Sequence, residues 1–153
     1  MPQDGLRASA LILVVDDDAG DQILIREALE GSRVRKRIQV AGDGEEALEY
    51  LYRCGRYAPP ARAERPSLIL LDLNMPRLGG KEVVARLKTD AALKQIPVVI
   101  FTTSCREQDA VECYAVGANS YVQKPADFDR LQEVLQHLAY YWLAVNAPAG
   151  ASG

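Results

Sequence analysis

The 153 residues suffice for one ordinary domain with a hydrophobic core and leave little for a second. Apolar residues at 48% and charged residues at 25% describe a globular chain and exclude a fibrous or disordered one. A formal net charge of −3 excludes a general positive field for nucleic acid or an anionic membrane, and the basic run Arg33, Arg35, Lys36, Arg37 reads as a solvated loop.

Taken in chain order, short apolar runs alternate with longer amphipathic stretches. Residues 1–9 are expected to form an N-terminal tail. Strands are predicted at 10–15, 37–41, 67–71, 97–101 and 120–123, several of them nearly continuous apolar segments, as strands buried on both faces are. The first run is too short for a secretory leader or a membrane span, because three aspartates end it. Helices are predicted at 19–30, 44–53, 80–88 and 107–116, with a last one from 127 to about 145. Asp43 followed by Glu46 has the spacing of a capping box. The stretch 54–66, with three prolines and several arginines, reads as a long surface loop. The expected domain is 10–146, with 147–153 a frayed tail. Five βα units call for a parallel sheet covered by helices on both faces. Cys54, Cys105 and Cys113 are odd in number and lack CxxC spacing, which argues for free thiols in a reducing compartment. A soluble, cytoplasmic protein is expected.

The strand ends carry the chemistry. In an open parallel sheet, functional groups gather beyond the carboxyl ends of the strands. The first strand runs into Asp16, Asp17 and Asp18, the third into Asp72, the fourth into Thr102 and Thr103, and the fifth into Lys124 and Pro125. Adjacent carboxylates repel, and oxygen-only ligands suit Mg²⁺, with Mn²⁺ an acceptable substitute, better than zinc. Such an ion together with Lys124 keeps Asp72 ionised and nucleophilic, and Thr102 can donate to a phosphoryl oxygen. Asp18 and Asp21 are read as capping or opening the first helix, not as ligands. Thr103 and Ser104 are read as loop hydroxyls, and His137 as a structural or surface residue.

At these positions the sequence resembles the receiver domain of bacterial response regulators. The matching pieces are Leu13-Val14-Val15-Asp16-Asp17, Leu70-Leu71-Asp72-Leu73-Asn74-Met75-Pro76, Gly79-Gly80, Pro97-Val98-Val99-Ile100-Phe101-Thr102, and Gly117 through Lys124-Pro125. The resemblance implies a doubly wound (βα)₅ flavodoxin-like three-layer α/β sandwich with sheet order 2-1-3-4-5. It implies Asp72 as phosphoacceptor. Asp17, Asp72 and the Asn74 main-chain carbonyl would bind Mg²⁺, with Asp16 acting through water. Thr102 and Lys124 would contact the phosphoryl group, Tyr121 would be an aromatic switch, and Lys124–Pro125 would be cis. A narrower resemblance is to the single-domain regulators of bacterial and cyanobacterial phytochrome kinases. It rests on the loop 52–66, Leu70 to Pro76, Phe101-Thr102-Thr103-Ser104 and Tyr140-Tyr141-Trp142-Leu143. Many of those relatives carry Glu where this chain has Asp16. The partner so implied is a sensor histidine kinase, a bacteriophytochrome among the candidates.

Phe128, Leu131, Leu135, Leu138, Trp142 and Val145 form one apolar stripe on the last helix. A helix of that length spans nearly 30 Å, more than one face of a small sheet requires. Two readings stand side by side: its end pairs with a second copy in a homodimer, or its aromatic residues fold back onto their own domain. The rival functions are a phosphorylation-independent interaction module and a Mg²⁺-dependent phosphatase. The second lacks an acid/base carboxylate shortly after Asp72, where Asn74 stands, and lacks room for a cap. No segment after Lys124 could hold a helix-turn-helix, so DNA is not an expected partner.

Overall fold

A computed structural model of the protein describes residues 10–149; the expected tail 1–9 and the end of the expected tail at 150–153 lie outside the described residues. The five strands are β1 (Ala10–Val15), β2 (Lys36–Ala41), β3 (Leu68–Leu71), β4 (Val98–Thr102) and β5 (Ser120–Gln123). They pair in parallel in the order β2-β1-β3-β4-β5, as the resemblance implied. The five helices are α1 (Ala19–Glu30), α2 (Gly44–Tyr52), α3 (Gly80–Lys88), α4 (Glu107–Ala115) and α5 (Phe128–Tyr140).

Side-chain alternation along the central strands splits the core in two. Leu11, Leu13 and Val15 of β1 face the layer built from α2, α3 and Cys113 of α4. Ile12 and Val14 face α1 and α5, through Ile25, Leu29, Leu131 and Leu135. Both faces of β1 and β3 are therefore apolar, and the continuous hydrophobic runs in the sequence follow. Each fully buried Leu, Ile or Val contributes roughly 1.5–3 kcal/mol.

Element ends follow local chemistry. Asp18, Asp43 and Asp127 cap α1, α2 and α5, each accepting the backbone N–H three residues on. Asp127 thus precedes its helix and is not its first residue. The Asp43 carboxylate accepts Glu46 N–H at 2.8 Å, but the Glu46 carboxylate reaches Gly42 N–H at 2.9 Å, one residue before the cap. Helix α2 stops at Tyr52 because Arg53 takes a left-handed conformation, φ 57°. Thr102 belongs to β4, and Lys124 N–H donates to its carbonyl.

The segment 54–66 is more than a surface loop. It carries a short 3₁₀ turn, Gly55–Tyr57, and folds back on α2: Tyr57 stacks edge-on against Tyr50, and the Tyr50 hydroxyl donates to the Glu64 carbonyl at 2.7 Å. Ala63 is buried. The expectation for Lys124–Pro125 is corrected: among the described residues the cis peptide bond is Pro59–Pro60, and Lys124–Pro125 is trans. The two X–Pro isomers differ by only about 0.5–1 kcal/mol, so the dipeptide by itself does not choose.

The last helix divides at Tyr140, where regular α geometry gives way to a π-helical turn, Tyr141–Val145. Trp142 and Leu143 are half-buried against the α1/α5 side of the core, while Tyr140, Tyr141 and Val145 stay exposed. All three cysteines are free, Cys113 buried and the other two exposed. Among the described residues no helix is long and apolar enough to cross a membrane.

Candidate functional site

Asp16 and Asp17 follow β1, and Asp72 follows the adjacent β3. Their backbones are registered by the ladder, with Asp72 N–H donating to the Val15 carbonyl at 2.9 Å and Asp16 N–H to Ala41 at 3.1 Å. One carboxylate oxygen from each of Asp16, Asp17 and Asp72 lies within 4.8 Å of the other two. Asp16 is buried, Asp72 half-buried and Asp17 exposed, so the cluster opens to solvent at one side. Gly80, at the start of α3, holds the floor: a Cβ there would lie 2.5 Å from the Asp72 carbonyl oxygen, so only glycine lets the helix approach so closely.

Among the described residues the ammonium of the cluster is that of Lys124, directly after β5. Lys124 Nζ donates to Asp16 Oδ2 at 2.6 Å and to Asp21 Oδ2 at 2.9 Å, and stands 3.9 Å from Asp72 Oδ1. Asp72 Oδ1 also accepts Leu73 N–H at 2.9 Å. Thr102 is fully buried, and its hydroxyl acts to lower the Asp72 carboxyl, the smallest of the influences on it. Ser104 N–H donates to Thr102 Oγ1 at 3.3 Å, the Ser104 hydroxyl donates to Asp109 Oδ2 at 2.6 Å, and the Tyr121 hydroxyl donates to the Ser104 carbonyl at 3.0 Å. Tyr121 is half-buried beside the α2–α4 side of the core. The loop after β4 is thus tied both to the tyrosine ring and to α4.

Burial pushes the Asp72 carboxyl up to about 6, with the Asp16 charge adding to it against the pull of Lys124 and the hydrogen bonds from Leu73 and Thr102. Asp16 is also raised, again through burial, despite its bond to Lys124. Burial pulls Lys124 down, yet its hydrogen bonds to Asp16 and Asp21 outweigh this and hold it above the ordinary lysine value. The three shifts agree: one ammonium is shared among Asp16, Asp21 and Asp72 and cannot neutralise them all. A donor set of carboxylate oxygens still short of positive charge fits a hard divalent cation.

Asp16, Asp17, Asp72, Thr102 and Lys124 are therefore brought to one edge as the sequence predicted. Asn74 is exposed two residues beyond Asp72. Asp18 is the cap of α1, as read, and His137 lies exposed on α5, away from the cluster. Sequence reasoning missed Asp21, which reaches Lys124 from the first turn of α1. The only signal for it was its place three residues after the Asp18 cap, which turns that helical position toward the strand ends.

The response regulator receiver domain family profile matches residues 12–136. Response regulator Rcp1 of Synechocystis sp. is 37% identical over 140 residues, covering 91% of this chain and 93% of its own length. The Mn²⁺-bound form of Rcp1 superposes with a TM-score of 0.83 at 35% identity, over 92% of this chain and 99% of that one. The phosphorylated cyanobacterial phytochrome response regulator RcpA gives a TM-score of 0.86 at 38% identity, over 94% of this chain and 100% of that one. The bacteriophytochrome response regulator AtBRR gives 0.72 at 37% identity, over 92% and 100%. By sequence, fold and acidic pocket, this chain belongs to the response regulator receiver domain family, a family of phosphoacceptor signalling proteins, and is similar to its phytochrome-associated members.

Proposed function

We propose that this chain is a stand-alone response regulator in which Asp72 accepts a phosphoryl group from the phosphohistidine of a sensor kinase. The observation that carries the reading is the approach of three carboxylates, Asp16, Asp17 and Asp72, beside a buried ammonium and a buried threonine hydroxyl. Asp17, Asp72 and the Asn74 carbonyl, with Asp16 acting through water, would hold Mg²⁺, or Mn²⁺ in its place, which would supply charge neutralisation for the transferred group. A carboxylate oxygen of Asp72 attacks phosphorus in line, the P–N bond to imidazole breaks, and the nitrogen leaves with the bonding pair. Lys124 and Thr102 take the new phosphoryl oxygens as ammonium and hydroxyl donors. Thr102 moves toward them, and because its neighbour Ser104 is tied to Tyr121 and Asp109, the face made by α4, β5 and α5 changes with it.

The similarity to RcpA, Rcp1 and AtBRR favours a phytochrome-type kinase as the donor, with both proteins in the cytoplasm. Ile23 and Leu24, exposed on the same helix as Asp21, offer that donor an apolar contact. The exposed Tyr140, Tyr141 and Val145 support a homodimer through the end of α5. Sedimentation of wild type and a Tyr140→Ala/Tyr141→Ala variant tests the dimer; a monomer in both sinks it. The alternative of a phosphorylation-independent module predicts no acyl phosphate at all. Intact mass after incubation with acetyl phosphate separates the two. The reading expects one added phosphoryl group that needs Mg²⁺ and is absent from Asp72→Asn. No adduct in wild type, together with no binding of beryllofluoride, overturns it.

A further inference from the structure

We propose that Asp21 is a positioning residue for this reaction, holding the Lys124 ammonium away from Asp72 and the metal position until a phosphoryl group draws it across; the inference rests on the receiver reading above. Lys124 is nearest to Asp16 and Asp21, and Asp72 lies beyond hydrogen-bond distance at 3.9 Å. The ammonium is thus parked, with two of its three N–H donors engaged elsewhere.

Asp21 is held for this task. Its N–H is bound by the Asp18 cap at 2.8 Å, which fixes it in the first turn of α1. The next residue, Gln22, donates its side-chain amide to the Asp16 main-chain carbonyl at 2.6 Å, tying that turn to the end of β1. The contact between Asp21 and Lys124 joins groups 103 residues apart, through two elements fixed to the same sheet.

The two partners of Lys124 differ in what release costs. The Asp16 side chain is 2% exposed and the Asp21 side chain 38%. A buried carboxylate stripped of its ammonium finds no water, whereas Asp21 is rehydrated at once. Asp21 is therefore the exchangeable partner. When Asp72 carries a phosphoryl group, its added negative charge draws Lys124 from Asp21 while the bond to Asp16 can persist. Before transfer, Asp21 keeps the ammonium from crowding the position a cation needs beside Asp72.

The test uses the full chain and the Asp21→Asn variant. With the carboxylate neutralised, Lys124 relaxes toward Asp72, and Mg²⁺ binding to the unphosphorylated protein weakens by about two- to fivefold. At saturating Mg²⁺, beryllofluoride binds about two- to fivefold more tightly, because no exposed pair has to be broken. Asp21→Glu restores both values. Loss of a nearby charge alone would shift both affinities in the same directions, so Mg²⁺ binding is also compared in Lys124→Met with and without Asp21→Asn. The proposal expects no effect of Asp21→Asn in that background; an effect of undiminished size overturns it. A variant that shifts only the melting temperature, with both affinities unchanged, also overturns it and leaves Asp21 a structural residue. If wild type binds neither phosphoryl group nor beryllofluoride, the receiver reading itself fails, a result distinct from normal binding by both wild type and Asp21→Asn.

Discussion

At the carboxyl end of the sheet, β1, β3, β4 and β5 deliver Asp16, Asp72, Thr102 and Lys124 to one shared cluster. At the opposite end the same sheet meets Pro66, Pro97, Trp142 and Leu143, which line a mostly apolar groove of about 520 Å³. The strands between are equally apolar, so the difference is made by what the connections bring. In right-handed βα units each helix begins at the carboxyl edge, and its N-terminal partial positive charge favours carboxylates there. The caps Asp18 and Asp43 and the cluster itself use that field. The other end receives helix C-termini and closes by packing. One end thus holds charge that burial makes unfavourable, and the other contributes stability without chemistry.

The largest effect is expected where the two roles meet. Lys124→Met leaves Asp16 and Asp72 without their ammonium and should cost about 3–5 kcal/mol near pH 8 in chelator, measured by urea denaturation. Because both carboxyls sit above their ordinary range, the loss should shrink toward pH 5 as they protonate. An equal loss at both pH values would assign it to packing instead. Leu135→Ala, from the fully buried α5 face, should cost about 2–5 kcal/mol. Its Mg²⁺ affinity should match wild type; a weaker value would show that the α1/α5 layer and the cluster are coupled.

Asp72→Asn should act in the opposite direction. The folded Asp72 carboxyl titrates at about 6, against about 3.9 when unfolded, so the native state binds the extra proton between those values. Its contribution is fully present below the unfolded value and is lost as pH rises through about 6. Metal-free Asp72→Asn, which does not titrate, should exceed wild type by about 3 kcal/mol at pH 8 and match it below pH of about 4. In wild type, Mg²⁺ affinity should climb through pH of about 6 and level off above it, as the proton stops competing. The smallest stability change belongs to exposed Asp17. Asp17→Asn should stay within about 0.5 kcal/mol of wild type yet lose Mg²⁺ affinity by about tenfold or more by titration, separating the binding role from the fold.

The sequence by itself determined the five apolar runs, their alternation with helices and the polar residue at the end of each functional strand. These are local properties: a short apolar run bounded by turn residues reads as a strand, and the polar residues that end it fall at the sheet edge. Asp16, Asp17, Asp72, Thr102 and Lys124 were legible for that reason. The resemblance to receivers added the strand order, which periodicity does not encode. Tertiary structure alone decided which carboxylates Lys124 holds, since Asp16 and Asp21 are 108 and 103 residues away from it and no local pattern ranks them against Asp72. It also decided that Tyr57 folds onto Tyr50, that Trp142 turns inward while Tyr140 and Tyr141 stay out, and that Lys124–Pro125 is trans. Each of these depends on the distance between separate elements once the sheet has closed, and that distance is set by packing, not by the residues on either side in the chain.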